Sequence, residues 1–126
     1  IYSTYRAFAG LKEDGSVVTW GDKKAGGDSS SVAGQLKGGV KEVYSTDYAF
    51  AALKEDGSVV TWGQKAAAEY ISPPAGKLES GVMKVYSNSW AFAALKKDGS
   101  VITWGHSGGG GDSSYVDLRA GKKKSR

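Results

Sequence analysis

The sequence has no cysteine, one histidine, one methionine and only two prolines among its 126 residues. Without cysteine there is no disulfide, no thiolate nucleophile and no cysteine-ligated zinc. A lone histidine, His106, leaves acid–base or metal chemistry short of the convergent titratable set it needs. No apolar run approaches the roughly 18 residues of a membrane span, so insertion in a bilayer is not expected. No secretory or transit signature opens the chain, and Ile1 stands where an initiator Met would. The expectation is a processed or excised piece, with no compartment assigned by the sequence. Proline is scarce but glycine is not: 19 glycines imply many turns.

An excess of positive charge is also missing outside one place. The net charge is +4, and Lys122, Lys123, Lys124 and Arg126 sit together behind Gly121. Removing those four leaves a neutral body, which is no platform for nucleic acid. The basic tail, 119–126, is expected to be a solvated end; its functional alternative is an electrostatic contact to phosphate or to an acidic partner surface.

What the chain has in abundance is itself. Trp20, Trp62 and Trp104 lie 42 residues apart, as do Tyr2, Tyr44 and Tyr86. The segment 9–21 reads AGLKEDGSVVTWG, 51–63 reads AALKEDGSVVTWG, and 93–105 reads AALKKDGSVITWG. Three copies of about 42 residues, 1–42, 43–84 and 85–126, account for a single repeat domain spanning the chain. Between the constant blocks the spacers vary. GGDSS occurs at 26–30 and again at 110–114, whereas the middle copy has Ala68-Glu69-Tyr70-Ile71-Ser72 followed by Pro73-Pro74. Constant elements with variable connectors suit a stacked or closed repeat fold.

One unit reads as strands. Lys41–Thr46 is short and rich in β-formers; Tyr48–Lys54 is too short for an independent helix and runs straight into a turn. That turn, Glu55-Asp56-Gly57-Ser58, carries the Asp-Gly hairpin signal, and Val59–Trp62 is the return strand, ended by Gly63. Alternation puts Phe50 and Ala52 on one face and Ala51 and Leu53 on the other, and separates Val60 and Trp62 from Val59 and Thr61. Both faces are apolar, so each sheet is expected to be covered on both sides, the alanines admitting a close neighbour. A fourth strand is weakly suggested over Ser31–Leu36.

The unit resembles the RCC1-like (regulator of chromosome condensation) repeat. The resemblance rests on Ala52–Gly63, ALKEDGSVVTWG, and its counterparts Gly10–Gly21 and Ala94–Gly105, with Gly34-Gln35-Leu36 similar to the family's GQL element. The copies also look like those of long tandem arrays. The family's Gly-x-x-His before the hairpin is replaced by Thr4-x-x-Ala7, Thr46-x-x-Ala49 and Asn88-x-x-Ala91. The resemblance implies β-propeller blades. It implies little about function, since that fold hosts nucleotide exchange, chromatin binding and scaffolding alike.

Candidate chemistry is thin. His106 falls where the other copies have Asp22 and Gln64, and reads as a solvent-facing loop residue. Asp14, Asp56 and Asp98 each precede a turn glycine, which explains their repetition, and their spacing is not that of a calcium loop. Gly108-Gly109-Gly110-Gly111 lacks the Lys-Ser/Thr and helix of a phosphate cradle. The three tryptophans at 42-residue spacing read as core or interface anchors. No catalytic residue, cofactor or metal ligand is expected. Arg6, Tyr48 and Trp90 are different: equivalent positions holding three different large side chains inside a constant strand entry, with Tyr5, Asp47 and Ser89 varying beside them. A large residue that changes from copy to copy lies outside the repeated core, and Tyr, Trp and Arg are the types that anchor protein interfaces. Arg6, Tyr48 and Trp90 are therefore the candidate protein-contact row.

The expected architecture is all-β, three RCC1-like blades forming a partial or oligomer-completed propeller, because a closed ring takes about four blades or more. The expected function is a non-catalytic protein-interaction or scaffold module. Of the ways to satisfy the open edges, a longer array or docking as an accessory subunit on a larger assembly, an organellar one included, is expected ahead of self-dimerisation. Two other readings stand beside it: a threefold-closed β-trefoil or β-prism binding carbohydrate, and, by family analogy alone, guanine-nucleotide exchange.

Overall fold

A computed structural model describes residues 1–63, 70–71 and 76–106. The repeated hairpin forms three times. Strands β1 (Tyr2–Ser3), β2 (Ala7–Leu11) and β3 (Val17–Gly21) make the first blade, and β4 (Val40–Ser45), β5 (Ala49–Lys54) and β6 (Val59–Gly63) the second. After β7 (Tyr70–Ile71), strands β8 (Val82–Ser87), β9 (Ala91–Lys96) and β10 (Val101–His106) make the third. All pairings are antiparallel, and the hairpin register is the same in each copy: Phe8 faces Trp20, Phe50 faces Trp62 and Phe92 faces Trp104.

The Asp-Gly turn sets that register. Asp56 Oδ1 accepts from both the backbone N–H (2.9 Å) and the hydroxyl (2.6 Å) of Ser58, and Gly57 takes φ +85°. Asp14 with Ser16 and Asp98 with Ser100 repeat the arrangement. The turn also couples neighbours. The Gly15 carbonyl accepts from Val40 N–H and the Gly57 carbonyl from Val82 N–H, both at 2.9 Å, so each hairpin tip is bonded to the first strand of the next blade. A Cβ on Gly57 would lie 3.0 Å from the Gly81 nitrogen, so glycine meets a close approach as well as a left-handed turn.

The alternation places the core between blades. Phe50, Ala52, Val60 and Trp62 of blade 2 pack with Ala7, Ala9 and Val17 of blade 1. From the opposite face of blade 2, Ala49, Ala51 and Leu53 pack with Phe92, Ala94 and Trp104 of blade 3. Each junction thus sets a flat alanine face against a stacked Phe–Trp pair. Leu36 and Leu78, one repeat apart, complete the two clusters. The closed trefoil or prism is not formed: among the described residues the three units make an open stack with two such junctions, and blades 1 and 3 do not meet. At one end Phe8, Val18 and Trp20 remain 44%, 47% and 44% exposed.

The fourth strand lies elsewhere than expected. Ser30–Leu36 is 3-10 helical, with Asp28 Oδ1 accepting from Ser30 N–H at its start and only Leu36 buried. The Ser-rich sequence with a central Gly34 lacks the β-branched content of a strand and lies beside the open edge of β6 without pairing with it. The middle spacer is richer in β-formers, and there Tyr70–Ile71 pairs with β10, giving the order β7-β10-β9-β8.

Equivalent tryptophans give an internal control. Trp62→Ala is expected to lower stability by about 3–5 kcal/mol, since a fully buried ring leaves a cavity. Trp20→Ala is expected to cost about 1 kcal/mol or less, as its ring is already half in water. Urea unfolding of the two variants beside the wild type checks the difference.

Candidate protein-contact site

The row predicted from sequence lies on the loops that join the first two strands of each blade. Each loop is folded by the side chain that replaces the family's glycine. Thr46 Oγ1 accepts from the N–H groups of Tyr48 (3.3 Å) and Ala49 (3.1 Å), and Asn88 Oδ1 from those of Trp90 (2.7 Å) and Ala91 (2.8 Å). Thr4 Oγ1 accepts from Ala7 N–H at 3.1 Å. With the backbone turned inward, the two residues that follow the cap project outward. The glycine of the Trp-Gly pair holds the loop from the other side. Gly63 has φ +123°, and a Cβ there would lie 2.6 Å from Ala49 Cα. In blades 1 and 3 the residue after that glycine, Asp22 or His106, donates its N–H to the carbonyl of Arg6 or Trp90 at 2.9 Å.

Adjacent loops are tied by main-chain bonds: Tyr5 N–H to the Asp47 carbonyl (2.6 Å) and Asp47 N–H to the Ser89 carbonyl (2.8 Å). The side chains therefore form a ridge across all three blades. Ring centroids run Tyr5–Tyr48 at 6.3 Å, Tyr48–Trp90 at 6.4 Å and Trp90–His106 at 5.4 Å, all tilted. The Arg6 guanidinium lies 5.3 Å from the Tyr5 centroid. Tyr5, Tyr48 and Trp90 are 66%, 40% and 49% exposed.

The structure thus brings Tyr48 and Trp90 together, with Arg6 at the end of the row. It also shows that the ring continuing the row into blade 1 is Tyr5, a neighbour whose variation against Asp47 and Ser89 was its signal in the sequence. His106, expected in a loop, is the last residue of β10 and packs on Trp90. Lys122, Lys123, Lys124, Arg126, the glycine run 108–111 and the GGDSS at 110–114 lie outside the described residues. Trp62 and Trp104 are buried anchors, as expected of the repeat tryptophans, and Trp62 Nε1 donates to the Gly26 carbonyl at 3.1 Å. Trp20 is the exception, open at the end of the stack. Away from the ridge, the Tyr44 hydroxyl donates to Glu42; burial, then that bond and the Glu42 charge, push the phenol well above its ordinary value. Among the described residues no three His, Asp or Glu side chains gather as metal ligands, and no helix is long and apolar enough to cross a membrane.

Neither a family model nor a curated protein sequence matches the chain. Solved structures do. The CRINKLY WD40 ectodomain of the Arabidopsis thaliana receptor kinase ACR4 is similar over 82% of this chain and 35% of its own, with a TM-score of 0.57 and 21% identity. A chain of the structure of Kap60 bound to yeast RCC1 (Prp20) is similar over 82% of this chain and 28% of its own, at 0.51 and 16%. Together with the three stacked sheets, these likenesses define the class: the chain is a partial β-propeller built of propeller-type repeats. It spans about a third of the length of either structure.

The hairpin aspartates carry a pH prediction. The Ser58 hydroxyl and then its N–H hold the Asp56 carboxyl below its ordinary 3.8, and Ser16 and Ser100 do the same for Asp14 and Asp98. A lowered folded-state value contributes stability that is present above pH 3.8 and lost as pH falls below it. The triple variant Asp14→Asn, Asp56→Asn, Asp98→Asn is expected to lose less stability on acidification than the wild type, read from urea midpoints above and below pH 3.8.

Proposed function

We propose that the chain is a non-catalytic contact module, an RCC1-like repeat domain that serves as part of a larger assembly and grips a protein partner with the ridge Tyr5–Tyr48–Trp90 and Arg6. The observation that carries this is the ridge itself. Three large rings stand in water, in a row, on loops bonded to one another and to rigid strands. Rings on such a scaffold lose little conformational entropy on binding, and Tyr, Trp and Arg dominate the energetics of protein interfaces. The Thr and Asn caps set the shape of the loops that carry these rings. The basic tail, 119–126, is proposed as a secondary electrostatic contact with an acidic surface. The likeness to propellers supports the scaffold reading through the fold alone.

Replacing exposed rings leaves the inter-blade clusters intact, so Tyr48→Ser with Trp90→Ser is expected to keep the wild-type unfolding midpoint within about 0.5 kcal/mol. The same variant is expected to retain about a tenth or less of the wild-type recovery of proteins that co-purify with the chain, a loss of about 1.4 kcal/mol or more. Unchanged co-purification would overturn the contact role of the ridge.

A further inference from the structure

Among the described residues the molecule builds the same interface twice and leaves one half of it without a partner blade at each end. In blade 2, Phe50, Val60 and Trp62 are 0%, 4% and 2% exposed beneath the alanine face of blade 1; their blade 1 equivalents Phe8, Val18 and Trp20 are nearly half exposed. The uncovered pair is already shaped for a neighbour. Phe8 and Trp20 stack at 5.5 Å and 24°, against 5.3 Å and 26° for Phe50–Trp62 and 5.1 Å and 21° for Phe92–Trp104. At the other end lies the blade 3 counterpart of the face that Ala49, Ala51 and Leu53 bury in blade 2: Ala93 and Leu95 are half-buried there, Ala91 is buried, and no further blade among the described residues packs on them. On that face Tyr86 is 52% exposed, where its equivalents Tyr2 and Tyr44 pack against the two clusters.

We propose that the open Phe8–Val18–Trp20 face of blade 1 is a docking surface for the Tyr86–Leu95 face of blade 3 in a second copy of this chain, joined head to tail. The proposal deepens the assembly reading by naming the partner of one surface, and it does not use the aromatic ridge. The occupant follows from the interior: what covers this face at both existing junctions is an Ala-x-Ala-x-Leu strand of the same repeat, and the chain carries one more such strand, Ala91–Leu95, on which no further blade packs among the described residues. The inter-loop bonds extend the same way, since Asp47 N–H to Ser89 carbonyl in one copy continues as Ser89 N–H to the Tyr5 carbonyl of the next. In sequence, the GGDSS spacer whose Gly26 carbonyl accepts from Trp62 recurs at 110–114. Such a contact is heterologous, so it gives a closed ring where the rotation per blade permits and a longer oligomer where it does not.

The test is the solution mass of the full chain across a concentration series, by light scattering after size exclusion or by sedimentation. The wild type is expected to rise from 13.2 kDa towards twice that or more. Val18→Asp with Trp20→Ser, and separately Tyr86→Asp with Leu95→Asp, are each expected to weaken self-association at least about tenfold. An equimolar mixture of the two variants is expected to recover a dimer, because one intact junction remains between them. The Tyr48→Ser, Trp90→Ser variant is expected to self-associate as the wild type does, which separates this proposal from the ridge. A wild type that stays at 13.2 kDa up to its solubility limit would overturn the proposal. So would a Tyr86→Asp, Leu95→Asp variant that still dimerises, since blade 1 would then be pairing with blade 1.

Discussion

The structure depends on one packing arrangement, an alanine face pressed against a stacked phenylalanine–tryptophan pair. A three-stranded sheet whose two faces are both apolar has no stable existence with both faces in water. Only a neighbour that approaches closely can bury a ring as large as Trp62 to 2% exposure, and alanine at 7, 9, 49 and 51 permits that approach. The hairpin turn reinforces the same constraint, because its glycine bonds to the following blade as well as reversing its own strand. Stability is therefore held at the junctions between units, the one-dimensional logic of repeat proteins.

This arrangement explains why identical sequence has three different environments. Among the described residues blade 2 packs against a blade on both sides, while blades 1 and 3 each pack against one, although 9–21, 51–63 and 93–105 are nearly the same segment. Position in the stack, and not residue type, decides whether a tryptophan is core or surface. The aromatic ridge is the reverse case. There the backbone is the same in each copy, and the side chains at 5, 6, 47, 48, 89 and 90 change, giving a surface with a distinct identity at each blade.

Much of this was legible in the residues. The 42-residue spacing of Trp20, Trp62 and Trp104, the Asp-Gly turn and the alternation through Phe50–Leu53 were sufficient to place strands and faces; the covering expected on both sides of every sheet holds for blade 2 and fails for blade 1, whose Phe8, Val18 and Trp20 stay open. The exposure of Tyr48 and Trp90 followed from variation within an otherwise constant unit. What escaped was of longer range or finer grain. SSVAGQL is too poor in β-formers to pair with the open edge of β6 beside it, and a local pattern does not separate a poor strand from a 3-10 helix. The strand at Tyr70–Ile71 depends on an edge 35 residues away, at Gly105–His106, which no local pattern contains. The part played by Tyr5 was hidden because ring contacts between blades follow loop geometry set by Thr4, Thr46 and Asn88, whose capping role is visible only as hydrogen bonds.

The pairing of β7 with β10 gives the chain a direction. A spacer emerging from one unit finishes the next: 70–71 adds the last strand to blade 3, and Gly26 supplies the acceptor for the tryptophan of blade 2. During synthesis from the N-terminus, the finishing piece is thus always made before the blade it finishes and waits for it. Each new unit then condenses on a template already in place, so growth by one repeat closes loops of a few tens of residues however long an array becomes.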